Sequence, residues 1–276
     1  MRIWEDVVRM ALREDLGSGD VTTLNVVPEQ ARATGLFFAK FTGVVAGLPI
    51  VREVFRQIDD SLDFVELIAE GSPVKYGDHI AKISGSAQSI LMGERVALNF
   101  LQRMSGVATL TSQFVKAVEG TSTRIVDTRK TTPGLRLLEK YAVRIGGGHN
   151  HRMNLSDAVM IKDNHIIAAG GITPAVQRAR AAIPHTMTIT VECETLEQVA
   201  EALDAGADIL LLDNMDFATR SAAVNLAKGR AKTEASGGID LETVAEAAAT
   251  GVDIISVGAL THSAPALDIS LDLEIG

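Results

Sequence analysis

At 276 residues the chain can hold one large barrel, or a barrel with a small companion domain. A net charge of −9 and only 4% aromatic residues argue against a nucleic-acid or anionic-membrane binder, while 46% hydrophobic residues provide for a well-buried core. The single cysteine, Cys193, excludes an internal disulfide and suits a reducing compartment. Met1–Asp15 has no signal-peptide core and no apolar run nears the roughly 20 residues of a membrane span, so a soluble cytoplasmic protein is expected.

The chain opens with a helical stripe over about Ile3–Leu16, carried by Ile3, Val7, Met10, Ala11 and Leu12 and stopped by Gly17–Asp20. From about residue 31 to 89 the texture changes to short apolar stretches broken by Gly and Pro. Leu36–Phe41, Gly43–Ile50, Val65–Ile68 and Ile80–Ile83 read as short strands of a small β-rich domain. The turns at Glu70–Val74 and Tyr76–Ile80 also resemble those of a lipoyl or biotin carrier, but no lysine stands at a hairpin tip to be modified. A longer helix over about Leu91–Val118 crosses into a second region. There strand candidates alternate with helices: Arg124–Asp127, Ala158–Ile161, Met187–Val191, Ile209–Asp213, Ala231–Ala235 and Ile254–Val257. Thr173 with Pro174, the Thr195/Gln198 capping box, and Asp240 with Gly251 punctuate the helices between them. This alternation means parallel βα units, enough to close or nearly close a barrel; an open doubly wound sheet is the alternative.

Active sites of βα barrels lie at the C-terminal ends of the strands. Here the strands run into Asp127–Gly134, Lys162–Asp163–Asn164–His165, Glu192, Asp213–Asn214, Ser236–Gly237–Gly238 and Gly258–Ala259. A purely structural barrel would not need a charge or a glycine turn at every one. The last two sites, glycine turns ending the final strands, suit phosphate held on backbone N–H groups. Arg103, Arg129, Lys130, Arg152 and Lys162, with the donor-rich loop Gly146–Arg152, make a cationic cluster in an acidic protein, which points to a polyanionic substrate bound by guanidinium forks. His149, His151 and His165 lack the spacing of a helical zinc motif, and Cys193 beside Glu192 reads as a buried strand residue rather than a nucleophile. Lys162 leaves open a Schiff-base aldolase.

The segments Asp127–Gly134, Lys140–Arg144, Gly146–Arg152 and Ile161–His165 resemble the central signature of quinolinate phosphoribosyltransferases. Ala97–Gly106, Leu210–Asn214 and Glu234–Gly238 resemble its flanking motifs, and Glu14–Gly17 with Gly19–Thr22 its N-terminal one, so the likeness runs nearly end to end. The resemblance implies an α/β fold: an N-terminal α/β open sandwich over 1–106, an incomplete (β/α) barrel over 107–262, and a segment 263–276 returning to the first domain. It also implies transfer of phosphoribosyl from phosphoribosyl pyrophosphate to quinolinate with magnesium, releasing pyrophosphate and carbon dioxide and giving nicotinate mononucleotide for NAD biosynthesis. The site would lie at a homodimer interface, whether or not dimers assemble further. Arg103 from the partner subunit, Arg129, His151, Arg152 and Lys162 would hold the two carboxylates, with Thr128 also touching substrate. Lys130 and Lys162 would face the phosphates, and Glu192 and Asp213 the ribose hydroxyls or the magnesium shell. Ser236, Gly237, Gly238, Gly258 and Ala259 would line a phosphate site. Asn154, where many members have glycine, and Ile145, where a cysteine is common, depart from the pattern. The rivals are a relative taking nicotinate without decarboxylation, the aldolase, and a non-catalytic carrier module.

Overall fold

The structure, a computed structural model, describes residues 4–275, so Ile3 of the opening stripe lies outside it. The chain parts into two compact units. The first comprises the described residues up to Ser112 with Thr131–Gly147 and Leu260 onward; the second comprises Gln113–Lys130 and Gly148–Ala259.

The first unit opens with α1 (Glu5–Leu16), whose acidic first turn and terminal Gly17 at φ +52° suit the ends of a helix. Asp20 does more than stop it: its Oδ1 accepts the Thr23 N–H at 2.9 Å and starts a second short helix, α2 (Val21–Val26). Then come β1 (Arg32–Ala39), β2 (Gly43–Val44), α3 (Leu48–Ile58), β3 (Asp63–Glu66), β4 (Pro73–Val74), β5 (His79–Ser86) and the long α4 (Ala87–Ala117). The expected strand Gly43–Ile50 is therefore a strand for two residues only. Gly47, at φ +116°, turns the chain, and Ile50, Val51, Val54 and Phe55 bury one helical stripe. The Glu70 carboxylate accepts the N–H groups of Gly47 (2.7 Å) and Leu48 (2.9 Å) and so satisfies the start of α3. An antiparallel sheet in the order β12-β1-β5-β3, with β12 at Ile269–Ile275, carries this unit; its core joins Phe37, Phe55 and Phe64, with ring centroids 6.2–6.3 Å apart.

In the second unit, β6 (Arg124–Val126) is followed, after α5 (Arg136–Ile145) of the first unit, by β7 (Val159–Ile161), α6 (Asp163–Ala169) and α7 (Ile172–Ala182). Next are β8 (Ile189–Cys193), α8 (Leu196–Ala205), β9 (Ile209–Asp213), α9 (Phe217–Ala227), β10 (Lys232–Ser236), α10 (Val244–Ala249) and β11 (Ile254–Ser256), and the chain then leaves the unit in α11 (Ala259–His262). All pairings in this six-stranded sheet are parallel, in the order β6-β11-β10-β9-β8-β7. Sequence neighbours pair throughout and the first strand pairs with the last, which is the order of a barrel with one seam, between β6 and β7. On its seam side β6 meets only a single parallel bridge, Val126 with His149. The fold is α/β, an incomplete (β/α) barrel with an α/β domain built on an antiparallel sheet. The doubly wound alternative is excluded because the first and last strands are neighbours.

The Thr195/Gln198 box caps α8 as its spacing predicts, and Gly206 at φ +89° ends it. Thr173 does not cap α7. That helix starts two residues earlier, with Gly171 as its N-cap, and Glu201 takes both the Thr173 N–H (3.0 Å) and its hydroxyl (2.9 Å). Asp240 accepts the N–H groups of Glu242 and Thr243, so it caps a turn that precedes α10.

The α4 glycine Gly106 lies against the C-terminal segment of the first unit, where an added Cβ would stand 1.9 Å from the Pro265 carbonyl oxygen. Backbone cannot rotate aside. Gly106→Ala is therefore expected to cost about 3 kcal/mol, read as a lower urea midpoint at unchanged m-value; an unchanged midpoint would refute this packing.

Candidate active site

Parallel strands end on a common edge, so the residues that end β6–β11 share one rim. The rim is built outward from Asp127, wholly buried at the end of β6. Its Oδ1 accepts the His151 N–H at 2.9 Å and its Oδ2 accepts the Asn150 amide at 2.6 Å. Backbone bonds from Asp127 N to His149 O (3.2 Å) and from His149 N to Ile125 O (2.9 Å) lay the same loop along the open edge of β6.

That anchoring orients the next two side chains, His151 and Arg152. His151 Nδ1 accepts the Arg152 N–H at 2.7 Å, so the ring proton belongs on Nε2, which lies 3.3 Å from Glu234 Oε2. Glu234 is buried on β10. Arg152 donates from Nη1 to Ala158 O at 3.1 Å, and its Nη2 lies 3.6 Å from Met160 Sδ. Burial, and next the like charge of Arg129, push the Arg152 guanidinium below its ordinary pKa. The charge of Arg129, in the turn after β6, thus bears on the Arg152 guanidinium of this loop. Thr128 shapes the approach: its hydroxyl accepts the Lys130 N–H at 3.0 Å.

Farther along the rim, Lys162 Nζ lies 3.1 Å from Glu192 Oε2. The Asp213 carboxyl is raised above its ordinary pKa, first by burial and then by the Glu192 charge, against the lowering pull of Lys162, Asn214 and Lys130. Lys130, Lys162, Glu192 and Asp213 therefore form one electrostatic cluster. Ser236 pairs in register with Asp213, and Gly237 and Gly238 come next at φ +91° and +61°, a backbone that presents consecutive N–H groups without side chains. Gly258 and Ala259 come after β11, and Ala259 opens α11.

Arg103 belongs to the first unit, where it is committed. Its Nη2 donates to Glu139 Oε1 (2.7 Å) and to the Thr261 carbonyl, its Nη1 to the Ala264 carbonyl (2.7 Å). Glu139, buried, also accepts the Thr132 N–H at 2.9 Å and its hydroxyl at 2.7 Å. His165 serves α6 locally, its Nδ1 accepting the Lys162 N–H at 3.0 Å. Cys193 is buried and its thiol is pushed up to about 12 by burial and then by Glu192, so it is no thiolate nucleophile. Three positions lie within the quoted motifs but carry no role in the sequence reading: Asp127, which anchors the loop, Glu234, which meets His151, and Asn214. Asp127 and Glu234 do leave a signal, a carboxylate set among buried strand residues, which demands donors.

The quinolinate phosphoribosyl transferase N-terminal domain model matches residues 20–105, and the C-terminal domain model of the same family matches 107–272. The chain belongs to the quinolinate phosphoribosyl transferase family. It is 46% identical over 262 residues to a probable nicotinate-nucleotide pyrophosphorylase (carboxylating) of Bacillus subtilis, covering 95% of this chain and 90% of that one. It is 45% identical over 287 residues to the chloroplastic nicotinate-nucleotide pyrophosphorylase (carboxylating) of Arabidopsis thaliana, covering 97% and 82%. The crystal structure of NadC from Streptococcus pyogenes superposes with a TM-score of 0.95 at 44% identity, covering 99% of this chain and 97% of that one. Both domains of the family are thus present in one chain.

A carboxyl raised on folding takes up its proton at higher pH in the native state than in the unfolded chain. The charge on Asp213 therefore costs stability above its folded pKa, and the cost is gone below the ordinary value of 3.8. Asp213→Asn should be more stable than the wild type at pH 7, with the gap shrinking as pH falls toward 3.8. Denaturation across that range checks this; equal stability at pH 7, or a gap that widens on acidification, would contradict it.

Proposed function

We propose that this chain transfers the phosphoribosyl group of phosphoribosyl pyrophosphate to the ring nitrogen of quinolinate and releases carbon dioxide, making nicotinate mononucleotide for NAD biosynthesis. It is a pentosyltransferase. The observation that carries the reading is the part-buried pair of cations Arg152 and Arg129, the first disfavoured by burial and then by the charge of the second. Such a pair is relieved by a dianion, and quinolinate brings two adjacent carboxylates. His151 and Lys162 complete that subsite, with Thr128 shaping it. Arg103 would reach it from the partner of a homodimer, and its clamp by Glu139 means that it would arrive as a fixed donor.

In the reaction the bond from the ribose carbon to pyrophosphate breaks as the pyridine nitrogen bonds to that carbon. Positive charge grows on the sugar, and Glu192 and Asp213 would stabilise it and orient the hydroxyls. Lys130 and Lys162 would draw off the negative charge of the leaving pyrophosphate. Ser236–Gly238 and Gly258–Ala259 would hold phosphate. The carboxylate beside the now cationic nitrogen then leaves as carbon dioxide, its electron pair staying on the ring carbon, where a proton replaces it. Among the described residues no three His, Cys, Asp or Glu side chains gather as a metal site. Two hard carboxylates, Glu192 and Asp213, do fit a magnesium ion that takes most of its oxygens from the substrate phosphates, as that ion prefers. Bound there it would supply charge neutralisation of the leaving pyrophosphate.

The aldolase reading is disfavoured by the Lys162–Glu192 ion pair, which engages the amine that a Schiff base would need. Among the described residues no helix is long and apolar enough to cross a membrane, and we place the enzyme in the cytoplasm on the strength of its one buried, unbridged thiol.

Incubation with quinolinate, phosphoribosyl pyrophosphate and magnesium should yield nicotinate mononucleotide and carbon dioxide in equal amounts. Turnover of nicotinate without carbon dioxide would replace this reading. Arg129→Ala and Arg152→Ala should each lower kcat/KM for quinolinate by about 30-fold or more while leaving the fold intact, as loss of a desolvated charge pair costs ~2–5 kcal/mol. Mixing Arg103→Ala with Arg152→Ala chains should recover part of the activity; no recovery would deny the shared site.

A further inference from the structure

We propose that Asn214 is a positioning residue that joins the ribose side of the site to its phosphate loop, holding the Asp213 carboxylate with one end of its side-chain amide and seating Gly237 against the other. The inference rests on the assignment of Asp213 and Ser236–Gly238 to phosphoribosyl pyrophosphate.

Among the described residues Asn214 is the only non-glycine at positive φ, +52°. Asparagine tolerates this left-handed region better than most residues, but glycine would fit it at still lower cost. The surroundings leave the backbone little choice. β9 ends at Asp213, paired with Ser236, and the Asn214 N–H extends that ladder by donating to Ser236 O at 3.1 Å. One residue later the Met215 carbonyl accepts Nη2 of the buried Arg220 at 2.5 Å. At the next, Asp216 caps α9 by accepting the Thr219 N–H at 2.7 Å. The chain must turn from strand to helix cap at position 214, and the left-handed conformation makes the turn.

The backbone alone would be served by glycine, so the side chain needs its own reason. Its Nδ2 donates to Asp213 Oδ2 at 2.6 Å. A carboxylate pinned at one oxygen turns the other toward a ligand in a single orientation. The amide oxygen lies over Gly237: a Cβ built there would stand 2.2 Å from Asn214 Oδ1 and 2.6 Å from its Cγ. Gly237 is bare because Asn214 fills the space. One planar amide thus fixes the relative placement of a strand-end carboxylate and a glycine turn on neighbouring strands, which would grip two parts of the same substrate.

The test measures phosphoribosyl pyrophosphate binding with magnesium by calorimetry, together with KM for each substrate, in the wild type, Asn214→Gly and Asn214→Asp. Asn214→Gly keeps the backbone turn and removes the amide. Asn214→Asp keeps the shape and turns a donor into an acceptor against Asp213. The expected result is a wild-type melting temperature in Asn214→Gly and phosphoribosyl pyrophosphate affinity weakened about tenfold, the loss set by one hydrogen bond to a charged group. KM for quinolinate should hardly move, and Asn214→Asp should be weakened at least as much as Asn214→Gly. Wild-type affinity in Asn214→Gly overturns the proposal, as does an equal rise in both KM values with a lowered melting temperature, the mark of a merely structural role. If the wild type neither binds phosphoribosyl pyrophosphate nor turns it over, the functional assignment itself has failed, and the positioning role falls with it.

Discussion

A carboxylate shut away from water must be given donors, and at the end of β6 those donors come from the loop that carries His151 and Arg152. Asp127 is wholly buried and accepts both the Asn150 amide and the His151 backbone N–H. Those bonds hold the loop on the one edge of β6 that no neighbouring strand occupies. A closed barrel would have filled that edge with a full strand. The incomplete one leaves it open for a segment that pairs at one residue and is otherwise free to present side chains. The placement of His151 against Glu234, and of Arg152 beside Arg129, depends on that anchor.

The same rim holds charges of both signs under conditions that do not favour them. Arg152 is disfavoured as a cation and Asp213 as an anion, each first by burial and then by a like charge nearby. Structural ion pairs elsewhere in the chain differ in kind. Arg103 with Glu139, and Arg56 with Glu53, bring opposite charges to hydrogen-bonding distance and satisfy them. Like charges brought together at strand ends have no value for folding, since they lower stability. They make sense as groups waiting for a ligand of complementary charge, which is why the site is recognisable by its electrostatics as well as by its motifs.

Much of the barrel is legible in the sequence because its signals are local. Alternating apolar strands and capped helices name their own boundaries, and Ile209–Asp213 falls where its pattern of apolar residues ends at a charge. Asp127, Lys162 and Asp213 are legible for the same reason, each being the first polar residue after an apolar run. The small domain is harder. The strand expected over Gly43–Ile50 overruns into α3, because its apolar run continues into the helix and the start of that helix is fixed by Gly47 and the distant Glu70 carboxylate. Thr173 illustrates the same limit, since its capping capacity is taken by Glu201, 28 residues away. The pairing of groups distant along the chain, such as His151 with Glu234, stays hidden, because no local pattern encodes which buried carboxylate meets which donor.

Backbone and side chain divide the work at the rim in a consistent way. Where a ligand needs close approach the chain supplies glycines, at Gly237 and Gly238, whose positive φ values are closed to most residues. Where a charged group must be aimed, a second side chain or a backbone N–H holds it: the His151 N–H for Asp127, Thr128 for the turn at Lys130, Asn214 for Asp213. Thr128 and Asn214 lie in the turns that leave β6 and β9, and the His151 N–H is tied to the end of β6 through Asp127, so the sheet sets the positions of all three. An enzyme that must align a pyridine nitrogen with a sugar carbon, while separating two phosphate-bearing ends of one substrate, gains most of its rate from such prior alignment. The short parallel strands therefore supply a common rim on which the charged side chains at their ends stand in fixed register with one another.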